Sequence, residues 1–435
     1  MIPSHQLPLV GLLLFSLIPR QQCEICEISR ENYTALNPLI NTMINSKYSK
    51  GIQAANVLLS LRLGGILNQT QEQKLMRQIV RSVENKESSL TSGQLALSIL
   101  ALGACKRPDE MFKNYSDLVK QLENKFQEEI KNMEEHDDNP LTNYYQLSLD
   151  VLALCLFSGN YSISIVATKF NPENKNYYFH GQFSVDTGAM AVLALTCVMR
   201  DKTNSQNIMY KQDLEIIGGH IGSLIRKILS QKKEDGLIGN IYSTGEAMQA
   251  LSVTPEPPNK EWDCKKTMDT ILKEIEQGKF HNPMSIAQIL PSLKGKTYLD
   301  VPYVSCSPGH QVQPTLPSQP SPVPTSASNI TVAYTINNQL KGVELVFNET
   351  IDVSVKDGSV LLVVLEEAQR RNPMFKFVTT MTSWGLVVSS INNIAESVHD
   401  RTYWQFLSGK TPLNEGVADY TPHDHEHITA NFTQY

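Results

Sequence analysis

The sequence predicts a multidomain α and β chain: an N-terminal α6/α6 barrel followed by a smaller β-rich domain with one helix. Three observations lead there. An Ala- and Leu-rich segment recurs along the first two thirds of the chain, a proline-rich stretch closes that region, and beyond it the apolar period changes from helical to alternating.

The recurrence is plainest in GQLALSILALGAC (93–105), YQLSLDVLALCLF (145–157), DTGAMAVLALTCV (186–198) and TGEAMQALSV (244–253). IQAANVLLSLRL (52–63) and SIAQILPSL (285–293) are weaker members. Each is apolar nearly all round and rich in small residues, so each must be buried on every side, and the small residues allow close packing. Between them lie charged amphipathic segments: 71–86, 118–136, 213–233 and 265–278. One apolar stripe apiece marks these as an outer layer. Six buried helices alternating with amphipathic ones fit a closed barrel of helix pairs, with an open helical solenoid as the competing arrangement.

Residues 307–328 hold six of the chain's 22 prolines, at Pro308, Pro314, Pro317, Pro320, Pro322 and Pro324. Proline fixes φ and removes a backbone donor, so this stretch reads as an extended linker between two domains. After it come β-branched segments at 330–336, 342–347 and 350–355, a helix over 359–371, and strand-like runs at 375–380, 385–391, 403–407 and 427–432. The expected domains are therefore 24–306 and 329–435, and 435 residues are enough for both.

Residues 1–23 read as a signal peptide, with the apolar run LPLVGLLLFSLIP too short to span a bilayer. Cleavage after Cys23 would leave six cysteines, for which the sequence alone permits about 15 pairings. Sequons at Asn32, Asn68, Asn114, Asn160, Asn329, Asn348 and Asn431 agree with export. A secreted, extracellular monomer is expected. The net charge of −6 advertises no face for nucleic acid or an anionic membrane.

Candidate chemistry gathers where the buried helices begin. Gln94, Thr142, Tyr145, Gln146, Asp186, Asn240 and Gln288 fall near the first turns of five of them. If the inner helices run parallel, these groups share one mouth. Amides and hydroxyls with a single carboxylate suit a large, neutral, hydrogen-bonding ligand. N-capping explains some of them equally well one at a time. The HDHEH tract (423–427) resembles a metal-binding run, although surface strand histidines without metal are the commoner case. A helical-barrel glycoside hydrolase would need paired carboxylates; the buried helices offer Asp150, Asp186 and Glu246, only Asp186 is placed at the mouth, and Asp186 with Glu246 is the pair such an enzyme would use. A secreted interaction module without a small ligand is the third reading.

The stretches LTNYYQLSLDVLALCLF, FSVDTGAMAVLALTCV, GLIGNIYSTGEAMQAL, NPMSIAQILPSLKGKTYLD and SWGLVVSSINNI resemble the cobalamin carriers, the family of haptocorrin, intrinsic factor and transcobalamin. The likeness covers essentially the whole mature chain. Residues 1 to about 240 look most like haptocorrin, and those from about Ile241 onward look like intrinsic factor. The resemblance implies cobalamin held between the two domains as cargo, no catalytic residue, no other cofactor, and possible uptake by an endocytic receptor. It implies disulfides Cys26–Cys264, Cys105–Cys306 and Cys155–Cys197. It places ligand contacts at the seven helical residues above. On the β side it places them at Ser383, Trp384, Gly385, Leu386, Val387 and Val388, and at Trp404, Phe406 and Leu413. Phe183 stands where transcobalamin has a histidine that coordinates cobalt, and His180 does not match that position, so no protein ligand to cobalt is expected.

Overall fold

The computed structural model describes residues 26–46, 48, 51–66, 68–84, 90–104, 115–179, 181–203, 210–254, 262–304, 329–340, 345–382, 385–397, 400–413 and 415–434. The expected leader and linker lie outside them, as do Cys105, Cys306, Asn114, His180, Ser383 and Trp384.

Among the described residues, twelve helices build the first domain: α1 (Asn37–Asn45), α2 (Gly51–Leu63), α3 (Gln69–Glu84), α4 (Ser92–Gly103), α5 (Tyr115–Glu135), α6 (Tyr144–Leu156), α7 (Ile163–Lys169), α8 (Val185–Thr203), α9 (Lys211–Ser230), α10 (Ser243–Ser252), α11 (Cys264–Glu276) and α12 (Pro283–Leu293). The even-numbered helices form the inner ring. Each packs on the next, from α2 through α12, and α12 packs back on α2. That last contact closes the ring and excludes the open solenoid. The odd-numbered helices form the outer layer and bury one stripe each, such as Gln71, Leu75 and Ile79 of α3 or Thr267, Met268, Ile271 and Ile275 of α11. The sequence reading did not anticipate the outer helices α1 and α7, which are short and bury only two or three side chains each.

Small residues let the ring close. A Cβ added to Gly245 of α10 would stand 2.6 Å from the Gln288 carbonyl oxygen and 3.0 Å from the Ile289 Cα of α12. Two disulfides join distant parts of this domain. Cys26–Cys264 ties the segment before α1 to the start of α11, and Cys155–Cys197 ties α6 to α8.

Two short strands, β1 (Tyr178–Phe179) and β2 (Gln182–Phe183), form a hairpin before α8. The second domain holds β3 (Asn329–Asn338), β4 (Phe347–Lys356), β5 (Phe377–Thr382), β6 (Gly385–Ile391), β7 (Ile394–Ala395), β8 (Thr402–Ser408), β9 (Thr411–Pro412) and β10 (His427–Gln434). One sheet has the order β4-β3-β10-β8-β9, and a second has β5-β6-β7. Within the first, β3 and β10 are parallel and the other pairs antiparallel. Helix α13 (Leu361–Arg371) buries Leu361, Val364, Leu365 and Ala368 in this domain's own core. Of the strand expected over 342–347, residues 342–344 lie outside the described ones, Leu345 and Val346 are exposed and irregular, and β4 begins at Phe347. From there it runs on through 350–355 as one element.

Candidate ligand site between the domains

Apart from C-terminal ends, where Arg200 and Asp201 of α8 and Ser252 of α10 are exposed, the inner helices are buried almost completely, and the remaining polar exceptions have a pattern. In α2 only Gln53 escapes full burial. In α4 the polar exception is Gln94, in α6 it is Gln146, and in α8 Asp186 is only partly covered. Each sits in the first turn of its helix, so a set of polar side chains marks one rim of the ring.

Capping accounts for part of this set. Gln94 and Thr91 form a reciprocal capping box, and the Thr91 hydroxyl donates to Gln146 Oε1 at 2.6 Å. Thr142 donates through its hydroxyl to Glu129 at 2.8 Å, as does Ser92 at 2.7 Å. Asn240 Oδ1 accepts from the Tyr242 and Ser243 amides at 2.9 and 2.8 Å, which pins the turn into α10. Ser243 Oγ donates to Asp186 Oδ2 at 2.9 Å and so joins α10 to α8. Deeper in the ring, the Tyr145 hydroxyl donates to Glu246 Oε1 at 2.6 Å. Burial pushes the Glu246 carboxyl well up, the nearby Asp186 charge adds to the rise, and Tyr145 opposes it. Asp186 is raised by burial too, against the Ser243 hydrogen bond.

A cavity of about 180 Å³ opens at this rim, directly under the second domain. Asp186, Asn240, Tyr242, Ser243, Ser285 and Gln288 line it from the helical side. Leu386 and Val387 of β6, with Gly416 and Asp419 from the loop before β10, line it from the other. Leu386 also packs against the helical core. Of the expected contacts, Asp186, Asn240, Gln288, Leu386 and Val387 therefore meet at one cavity. Gln94, Thr142, Tyr145 and Gln146 belong to the same rim but are not among its lining residues.

Of the other expected contacts on the β side, Ser383 and Trp384 lie outside the described residues, and Val388, Trp404, Phe406 and Leu413 belong to the second domain's own core or its margin. Trp404 is buried among Phe347 and Phe432, with its indole N–H donating to the Ile394 carbonyl at 2.9 Å. Val388 is buried in the same core, while Phe406 and Leu413 pack at its margin. Gly385 opens β6. Tyr242, Ser285, Gly416 and Asp419 were not foreseen. For Ser285 the signal was present in the sequence, since it opens a recurring segment, and Tyr242 stands just ahead of another. No repeat marks the 416–419 loop.

Phe183 is buried and stacks on Tyr177, and its ring lies against Gly188 of α8, where a Cβ would come within 2.4 Å. It offers an apolar wall and no donor atom to a metal. Nor does the HDHEH tract form a metal cluster, and none exists among the described residues. Glu426 instead accepts from Ser408, Tyr420 and the His423 amide, and His427 Nε2 bonds Thr335 at 2.7 Å.

The family model for eukaryotic cobalamin-binding proteins matches residues 8–326, and the chain belongs to that family. It is 58% identical to the cobalamin binding intrinsic factor of Canis lupus familiaris, over 96% of this chain and 95% of that protein. It is 50% identical to transcobalamin-1 of Homo sapiens, over 99% of each chain. Among solved structures it is similar to haptocorrin in complex with Cbi, with a TM-score of 0.82, 47% identity, 95% of this chain covered and 100% of that one. These names describe binding, and none describes a reaction.

Proposed function

We propose that this chain is a secreted carrier that binds cobalamin between its two domains and transports it, performing no chemistry on it. The observation that carries the reading is the cavity itself, in which hydroxyls, amides and the single carboxyl of Asp186, at the starts of three inner helices, meet the apolar β6 residues Leu386 and Val387 from the other domain. A corrin ring is flat and largely apolar, with amide arms at its edge. Hydroxyls and amides on the helical side serve the arms, and Leu386 and Val387 cover the face. With a buried Phe183, and not a histidine, at the position that matches transcobalamin's cobalt ligand, cobalt would keep a water or its own upper group. The six expected β-side contacts from Ser383 to Val388, with Trp404, Phe406 and Leu413, would act as the lid and its support. Occupied sequons at exposed Asn32, Asn160, Asn329 and Asn348 would agree with export.

Bound corrin is coloured, so the test is direct. The secreted protein, mixed with cobalamin and freed of excess, should hold a visible corrin spectrum at one per chain. Asp186→Asn should weaken binding by roughly 1–3 kcal/mol, as a lost or altered hydrogen bond does. A protein that retains no corrin would refute the carrier reading. A glycoside hydrolase acting through Asp186 and Glu246 would instead lose turnover by orders of magnitude in the same variant.

A further inference from the structure

Two polar atoms at the domain boundary are buried without a hydrogen-bond partner: the Tyr242 hydroxyl, from the helical side, and Asp419 Oδ1, from the β side. Both residues line the same cavity. Unpaired buried polar atoms are costly, and two of them on residues that line one cavity mark a place where a ligand can supply the partners.

The two are held differently from flexible surface groups. Tyr242 packs edge-on against Phe280, with ring centroids 5.6 Å apart. Asp419 sits in a loop fixed to the start of α13, where Leu362 N–H donates to the Val417 carbonyl and Leu361 N–H to that of Tyr420, each at 2.7 Å. The Asp419 amide also bonds the Gly416 carbonyl at 2.9 Å. Asn282, whose side-chain oxygen caps α12, stands on the helical side near the Asp419 carboxyl and opposes the rise that burial gives it. Asp419 Oδ1 is left to accept and the Tyr242 phenol to donate.

We propose that Tyr242 and Asp419 form a subsite that reads one primary amide arm of the ligand across the domain boundary. The amide NH₂ donates to Asp419 Oδ1, and its carbonyl oxygen accepts from the Tyr242 hydroxyl. The match is chemically directional. A carboxylic acid arm in place of the amide would set a second negative oxygen against Asp419 and leave it without a donor. A site built on hydrogen bonds rejects a ligand that cannot make them far more strongly than an apolar site does. The subsite thus deepens the carrier reading and rests on it, by making one arm a determinant of selectivity.

The test uses the full chain with cobalamin and with its monocarboxylic acid derivatives, in each of which one peripheral amide is hydrolysed. Wild type should bind one derivative about tenfold or more weaker than cobalamin. Asp419→Asn, which can donate to a carboxylate, should close that gap for the same derivative and leave the ratios for the others unchanged. Tyr242→Phe should weaken cobalamin by about threefold to tenfold and narrow the same ratio. Unchanged ratios in both variants, or a wild type that treats all derivatives alike, would overturn the subsite while leaving the carrier reading intact. A wild type that binds no corrinoid would bring down both, and is recognisable by the missing visible spectrum. Thermal melting of the unliganded variants controls for folding, and if Asp419→Asn melts early, the ratio in Tyr242→Phe decides.

Discussion

Asp150 shows what a single buried carboxyl does to this barrel. It lies inside α6, fully buried. Burial pushes its carboxyl well up, the nearby Glu129 charge adds to the rise, and Ser92 opposes it. A carboxyl raised in the folded state holds its proton more tightly folded than unfolded. Its cost is therefore full only above the folded value and is relieved as pH falls from there toward the unfolded one near 3.9. Asp150→Asn should raise stability at pH 7 by about 1–3 kcal/mol. In denaturant titrations the gain should shrink steadily toward pH 4. A gain that grows with acidity would show that the carboxyl is ionised in the fold. Glu246 has the same sign, because its burial and the Asp186 charge both favour the protonated form. Together these groups equip the helical domain to tolerate mild acid.

At the level of helices and strands, the close approach at Gly245 offers a sharp test. Gly245→Ala would push α10 away from α12, at a cost of about 1–3 kcal/mol for overpacking. Both helices line the cavity, through Ser243 on one and Ser285 and Gln288 on the other. Ligand affinity should fall together with the melting temperature. Normal affinity in a destabilised variant would show that the spacing of the two helices does not matter to the site. Replacing both Cys155 and Cys197 with Ser removes the tie between α6 and α8, and should cost about 2–4 kcal/mol in denaturant unfolding. The inner helices were legible in the sequence because a helix buried on all sides has no polar face, and the repeat placed the Asp186, Asn240 and Gln288 group at one rim. The outer helices α1 and α7 were not, since two or three buried residues leave too little periodicity to see. Only the resemblance points to Trp404, because a short alternating strand does not tell a core tryptophan from one on an exposed face; in the fold it packs on Phe347 and Phe432. The 416–419 loop was invisible for another reason: its place at the boundary comes from backbone bonds to α13, which no local pattern encodes.

On the scale of the whole molecule, the cavity is smaller than the task proposed for it. About 180 Å³ falls below the roughly 300–1,000 Å³ of drug-sized ligand sites, and a corrin is larger than most drugs. The two domains must therefore part to admit cobalamin and settle around it at a wider spacing. Each has its own buried core, so each can remain folded while they separate. Cutting the chain within 307–328 should leave two fragments that reassemble on cobalamin, more weakly than the intact chain, because the linker raises the effective concentration of one domain near the other. Co-sedimentation with and without cobalamin would show it. If neither fragment nor their mixture takes up the ligand, the clamp is wrong.

The order of strands in the larger sheet has a temporal consequence. β10 lies between β3 and β8, although it is translated after both. The helical ring can finish while synthesis continues, but the lid has no central strand until its last segment emerges. A ribosome stalled or a message stopped before His427 would thus release a finished cup without a working cover.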